Sequence, residues 1–288
     1  MRPARSIMCL AVLLPALGAA PAGAGSRLLA TGGAMPLEGA AGGGLVPWAV
    51  LSGYSTPGEA GPTVAYTHVE TDDYQLDTYS VSLNLWNRVE LSAARQVFDI
   101  GALTPALGSD PGNLGQDVLG IKVRLAGDLV YSRWPQLAAG AMYKHTREFA
   151  VPAAIGAIDS RDWDFYLAAT KLFLGGAFGR NLLLNATLRA TRANQLGLAG
   201  FGGDLNDDHE LMAELSAAVL LDRKFAVGVE YRQKPDNLGF AAEDDWYDAF
   251  VAWFPGKHVA VVVAWAELGS IATLDDQNGP YLSIQASY

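Results

Sequence analysis

From residue 63 to the end of the chain, apolar and polar residues exchange places at successive positions, and no other feature restricts the fold as much. Tyr79, Val81, Leu83 and Leu85 alternate with Ser80, Ser82 and Asn84; across Asn87-Arg88 the pattern resumes with Val89, Leu91 and Ala93 against Glu90, Ser92 and Ala94. A strand turns successive side chains to opposite faces, so such a stretch has one oily and one wet face. The same unit returns in Leu119, Ile121, Val123 and Leu125 with a partner at 137–143. It returns again at 163–173 with 182–190, 211–220 with 225–233, and 246–254 with 259–265. The series closes on Tyr281 to Tyr288.

Hydrophobic residues make up 50% of the chain and mean hydropathy is +0.15. After residue 24, however, no apolar run approaches the roughly 20 residues a membrane helix requires. A transmembrane barrel reconciles the two, because each strand gives only every second side chain to lipid. The connections agree. Polar stretches at 99–116, 146–162, 194–209, 235–244 and 268–278 alternate with tight turns, the asymmetry of short periplasmic turns and longer extracellular loops. The expected fold is all-β, an antiparallel transmembrane β-barrel of about 12 strands, or about 14 if two amino-terminal candidates at 28–44 and 45–51 are included, since such barrels favour even numbers. Pro47 favours an edge or a bend in the second of these.

Arg2 and Arg5, the apolar run Ile7 to Ala20, and Ala22-Gly23-Ala24 together have the form of a secretory leader cleaved after Ala24. The expected organisation is a leader at 1–24, a Gly-rich segment at 25–62 that is either a luminal plug or the first strands, and the barrel at 63–288. Cys9, the single cysteine, lies in the leader, so the exported chain has no thiol for a disulfide, a metal or a nucleophile. The formal net charge of −10 argues against nucleic acid as a partner.

On the wet faces stand Glu90, Lys122, Arg124, Lys144, Arg189, Glu214, Glu230 and Arg232, expected to line the lumen because charge is expensive against lipid. They would serve either as the lining of an open pore or as a salt-bridge network filling a narrow one. Trp48, Trp86, Trp134, Trp163, Trp246, Trp253 and Trp265 all lie near strand ends, where indoles form belts at the membrane interfaces. Acidic residues gather at Asp72-Asp73, at Asp159, Asp162 and Asp164, at 204–210, at 243–245 and at Asp275-Asp276. Of these, 204–208 comes nearest to a divalent-cation loop but lacks the full calcium pattern. No G-x-S-x-G or H-E-x-x-H run occurs, and His68, His145, His209 and His258 are not followed closely by serine, so no catalytic residue, cofactor or metal is assigned.

The last strand sends Leu282, Ile284, Ala286 and Tyr288 to one face and Ser283, Gln285 and Ser287 to the other, and ends on an aromatic residue. It resembles the terminal signal that the assembly machinery of bacterial outer-membrane barrels reads. The runs Leu28 to Gly33, Glu38 to Ala49, Thr71 to Tyr74 and Arg88 to Ser92 resemble an uncharacterised family of proteobacterial outer-membrane proteins, a domain of unknown function. The resemblance implies an outer-membrane location, with lipid, lipopolysaccharide and the assembly machinery as partners; it carries no activity. The functional expectation is a passive channel for small solutes. The alternatives are a closed structural or surface-interaction barrel plugged by the Gly-rich segment, or a lipid-modifying enzyme.

Overall fold

The computed structural model describes residues 29–104 and 112–288; the expected leader, with Cys9, and residues 105–111 of one loop lie outside them. Twelve strands follow one another: β1 (Ala60–Glu70), β2 (Gln75–Leu85), β3 (Val89–Asp99), β4 (Asn113–Ala126), β5 (Gln136–Thr146), β6 (Arg161–Ala177), β7 (Arg180–Thr191), β8 (Glu210–Leu220), β9 (Phe225–Arg232), β10 (Trp246–Trp253), β11 (Val259–Glu267) and β12 (Asn278–Ser287). Each pairs antiparallel with its neighbours, and β12 pairs with β1, with Thr63 opposite Ser287 and Val69 opposite Tyr281. The sheet is therefore a closed barrel without an edge. The terminal strand is the seam, sharing its two sides between β11 and β1.

The alternation sets the two faces. On β12, Tyr281, Ser283, Gln285 and Ser287 are buried while Leu282, Ile284 and Tyr288 are exposed on the outer surface. The same parity exposes Val64, Val81, Leu91, Ile121, Leu167, Leu188, Leu215, Val229, Val251 and Val263, an apolar outer band of the kind a bilayer covers. Val263 stands at the middle of β11 and is 52% exposed. Val263→Arg is expected to cost about 2–4 kcal/mol if lipid lies there. The readout is the urea midpoint of barrel folded into vesicles, and an unchanged midpoint would remove lipid from that face.

The 14-strand alternative is not observed. Residues 29–58 form no strand; their ladder contacts are isolated bridges within the segment, Ala34 to Gly42 and Gly42 to Pro47. The short strand expected at 45–51 is absent for the same reason, and β1 begins at Ala60 rather than Thr63. Glycine-rich chain has neither the side chains to cover a pleated face nor the backbone economy of a strand. The β2–β3 turn also sits differently: Trp86 and Asn87 take the positive φ values, 56° and 51°, and Arg88 N–H closes it on the Leu85 carbonyl at 2.9 Å.

Connections at one end are short, as in the β6–β7 turn at Phe178-Gly179, except for residues 127–135 between β4 and β5. At the other end they are long, apart from the short β1–β2 connection at 71–74, and carry their own structure: a helix, α1 (Ala150–Ala154), and 3-10 turns at Gly101–Leu103 and Asn194–Gly197. These are called the turn end and the loop end below. Trp86, Trp134, Trp163, Trp253 and Trp265 are exposed outward, as an interfacial belt requires. Trp48 and Trp246 depart from it. Both are buried inside the barrel, where Trp48 belongs to the inner segment and Trp246 lies beneath the Lys234 ammonium, 4.6 Å from its ring centroid.

Candidate functional site

The lumen is occupied. Residues 31–55 are buried in an excursion that starts and ends at the turn end, where Ala30 N–H donates to the Tyr54 hydroxyl at 3.1 Å. Its tip, Leu37, reaches the loop end beside Val69, Leu76, Phe98 and Leu198. The segment folds on itself through paired bonds between Ala34 and Gly42 and a bond from Trp48 N–H to the Ala41 carbonyl. Gly42 and Gly43 are essential to the fit. A Cβ on Gly42 would collide with the Val46 carbonyl, and one on Gly43 with the Glu230 carboxylate.

Inward side chains of the wall satisfy the segment's backbone. Glu90 accepts from Ala41 N–H (3.0 Å) and Ser52 N–H (2.7 Å), while Lys122 donates to the Ala41 and Val50 carbonyls at 2.6 and 3.0 Å. Across the barrel, Glu230 accepts from Gly44 N–H (2.5 Å), Leu45 N–H (2.6 Å), the Trp48 indole (3.2 Å) and the Ser216 hydroxyl (2.6 Å). Thr170 and Gln136 hold Ala49 from both sides, Gln285 holds Gly33 and Met35, and Gln96 donates to the Leu37 carbonyl. Chain without secondary structure survives in the interior only when its polar groups find partners in this way.

Above this layer lies a buried ion cluster. The Glu38 carboxylate, carried by the inner segment, meets Arg189 through both guanidinium nitrogens (3.3 and 3.0 Å), Arg232 at 2.6 Å and the Lys144 ammonium. Asp164 receives Lys144 at 2.6 Å and Arg189 at 3.0 Å, and Glu214 receives Arg189 at 2.7 Å and Arg232 at 3.4 Å. Three cations thus balance three carboxylates, all essentially sealed from solvent. Buried charge is tolerated only when paired and hydrogen-bonded, which this geometry achieves for every carboxylate oxygen facing the cations except Oε2 of Glu214.

The loop end closes over the cluster. The chain at 194–201 dips inward, so that Lys144 donates to the Leu196 carbonyl at 3.0 Å and Gln195 N–H donates to Glu243 at 2.7 Å. Glu243 and Lys234 pair at 3.1 Å. Burial pushes the Glu243 carboxyl up and the Lys234 ammonium down, each partly offset by the other's charge. Among the described residues, two voids beside the inner segment measure about 30 and 20 Å³ and one beneath the loops about 40 Å³, each with room for water and no larger solute.

Of the eight charged residues expected on the inner face, Glu90, Lys122, Lys144, Arg189, Glu214, Glu230 and Arg232 are buried there, in two groups: those gripping the inner segment's backbone and those in the ion cluster. Arg124 is not among them. It sits next to an irregularity in the β4–β5 register at the turn end, half-buried, and pairs with Asp128 at 3.3 Å. Asp164, expected in an outer acidic loop, instead faces inward from β6. Its parity with Tyr166, Ala168 and Thr170, within the strand expected at 163–173, was the available signal. Glu38 had no such signal, standing in a segment with no periodicity.

The acidic loop at 204–208 spends its oxygens separately. Asp204 accepts from Gly239 N–H, and Asp207 joins Asp159 and Asp162 around Arg192. Among the described residues no group of His, Cys, Asp and Glu is arranged to hold a metal ion. Among the described residues, His68 engages Asp77 at 2.8 Å, and His209 the Trp163 carbonyl and His258 the Ser287 carbonyl, each at 2.9 Å, so none of these three contacts is to a serine hydroxyl.

The barrel is similar to solved outer-membrane proteins. The KdgM porin superposes with a TM-score of 0.50 at 10% identity, over 78% of this chain and 99% of that one. Omp33 from Acinetobacter baumannii gives 0.43 at 11% identity, over 80% and 96%. Outer membrane phospholipase A from Escherichia coli gives 0.38 at 9%, over 80% and 92%. At such identities the likeness is one of fold. No curated protein matches the chain in sequence. One family does, over residues 31–285, from the inner segment through the closing strand, and the chain belongs to it: the family described as protein of unknown function DUF3034.

Proposed function

We propose that this protein is a porin-like outer-membrane channel for small solutes, held shut by its own amino-terminal segment. It reaches the membrane through a leader cleaved after Ala24. One observation carries the reading: the β1–β12 seam closes the wall without any contribution from residues 29–58, which touch the strands through side chains rather than through a ladder. Withdrawal of the segment would leave an intact barrel. Its inner face would then present Glu90, Lys122, Glu230 and the ion cluster to water, a charged lining of the kind channels use for selection.

The Ser52 and Ser82 hydroxyls lie 2.7 Å apart, one on the inner segment and one on β2. Cysteines at both positions, in a chain whose native Cys9 is changed to alanine, are within reach of a disulfide. Oxidised S52C/S82C protein in planar bilayers is expected to be silent, and reduction should restore stepwise openings. Equal conductance in both states would remove the segment as a gate. Silence in both states, and after deletion of 29–55 from a barrel that still folds, would instead establish the closed structural barrel, the reading that the filled lumen favours.

A further inference from the structure

We infer that Lys144, Arg189 and Arg232 form a receptor for a solute carboxylate, and that Glu38 is its built-in occupant, so that a carboxylate-bearing solute opens the barrel by taking the place of Glu38. The inference rests on the gated-channel reading above.

The wall alone supplies three cations, Lys144, Arg189 and Arg232, against two carboxylates, Asp164 and Glu214; the third carboxylate comes from the inner segment. When the segment leaves, this cluster holds one cation more than it has carboxylates, with Glu230 and Asp248 as the nearest acidic groups in the adjoining layer, and an anion seated among its three cations restores the balance it has with Glu38. Geometry then narrows which anion. Arg189 presents two nitrogens to the two different oxygens of Glu38, the parallel fork that matches a planar carboxylate. Each oxygen has a second donor, Lys144 on Oε1 and Arg232 on Oε2. Both carboxylate oxygens are thus doubly satisfied, and the donors are themselves fixed: Arg189 by Asp164 and Glu214, Lys144 by Asp164 and the Leu196 carbonyl. The remainder of Glu38 is only a tether. Any small molecule offering the same carboxylate competes for the same four contacts, and the strength of that competition depends on its concentration, whereas that of Glu38 does not.

The test uses the full-length chain carrying Ser52→Cys and Cys9→Ala, read two ways: maleimide labelling of the thiol introduced by Ser52→Cys, which reports departure of the segment, and open probability in planar bilayers. Acetate and succinate are compared with chloride at matched ionic strength and pH, with inorganic phosphate as a separate arm. The expected result is saturable acceleration of labelling and opening by the carboxylates, weaker acceleration by phosphate and none by chloride. Glu38→Gln should raise labelling at least about tenfold without any added anion, because it breaks a buried charge pair. Arg189→Lys, which keeps the charge but not the fork, should reduce the preference for carboxylate over phosphate. Equal effects of all anions would overturn the carboxylate receptor, as would labelling that Glu38→Gln raises but no anion changes; either leaves the gate standing. Labelling that responds to carboxylate without any conductance would uphold the receptor and remove the channel. An introduced thiol that no anion and no variant exposes would overturn both.

Discussion

Arg189→Ala is expected to lower the stability of the folded barrel by about 3–5 kcal/mol, the cost of leaving buried charge without its partner. Arg189 is among the largest fully buried side chains and joins three carboxylates that belong to separate parts of the chain: Glu38 of the inner segment, Asp164 of β6 and Glu214 of β8. Without it, those carboxylates face only Lys144 and Arg232, and the cluster carries one negative charge too many. Removing a carboxylate as well should recover part of the loss. In Arg189→Ala/Glu38→Ala, two cations again balance two carboxylates, so the double variant should be less destabilised than the two single losses combined, by about 0.5–3 kcal/mol. The temperature at which the folded band converts to the unfolded one in detergent gels, together with urea midpoints, reads all three proteins. Strict additivity would mean that the cluster is a set of independent contacts rather than one balanced unit.

Much of the wall was legible because strand parity is a local property. Glu230 and Arg232 lie two residues apart, as do Arg189 and Thr187, and each pair shares a face whatever the rest of the chain does. The closing strand was legible for the same reason: the exposure of Leu282, Ile284 and Tyr288 follows from alternation alone. Arg124 keeps the parity of Lys122, opposite the buried Ala138, but stands at the turn-end rim beside the β4–β5 register shift, where it pairs with Asp128 instead of the segment. The contents of the lumen depend on a different kind of information. The runs Gly32-Gly33 and Gly42-Gly43-Gly44 carry no face, so plug and wall could not be told apart by pattern. Glu38 acquires its partners only when the chain is brought against Lys144, Arg189 and Arg232, far along the sequence and on three different strands. Trp48 and Trp246 illustrate the same limit. Nothing near either residue in sequence separates an interfacial indole from one that donates to Glu230 or lies beneath Lys234.

Glu230→Ala is expected to release the inner segment from a barrel that otherwise stands. Two buried backbone donors of the segment, Gly44 N–H and Leu45 N–H, lose their acceptor at once, as does the Ser216 hydroxyl, while the Trp48 indole keeps Ser216 Oγ at 2.8 Å. Each unsatisfied group costs about 1–3 kcal/mol, a large part of what holds the stretch around Gly44 and Leu45, which lacks ladder bonds, to this side of the wall. Glu230→Gln should be much milder, because its amide oxygen still serves the two backbone donors and the Ser216 hydroxyl can turn to accept from the amide nitrogen. Amide hydrogen exchange separates the outcomes. In Glu230→Ala, exchange should quicken across 41–52 while β8, β9 and β10 stay protected, and open probability should rise with it. If those strands lose protection together with the segment, residues 29–58 are part of the barrel's core, and no gate can be made of them.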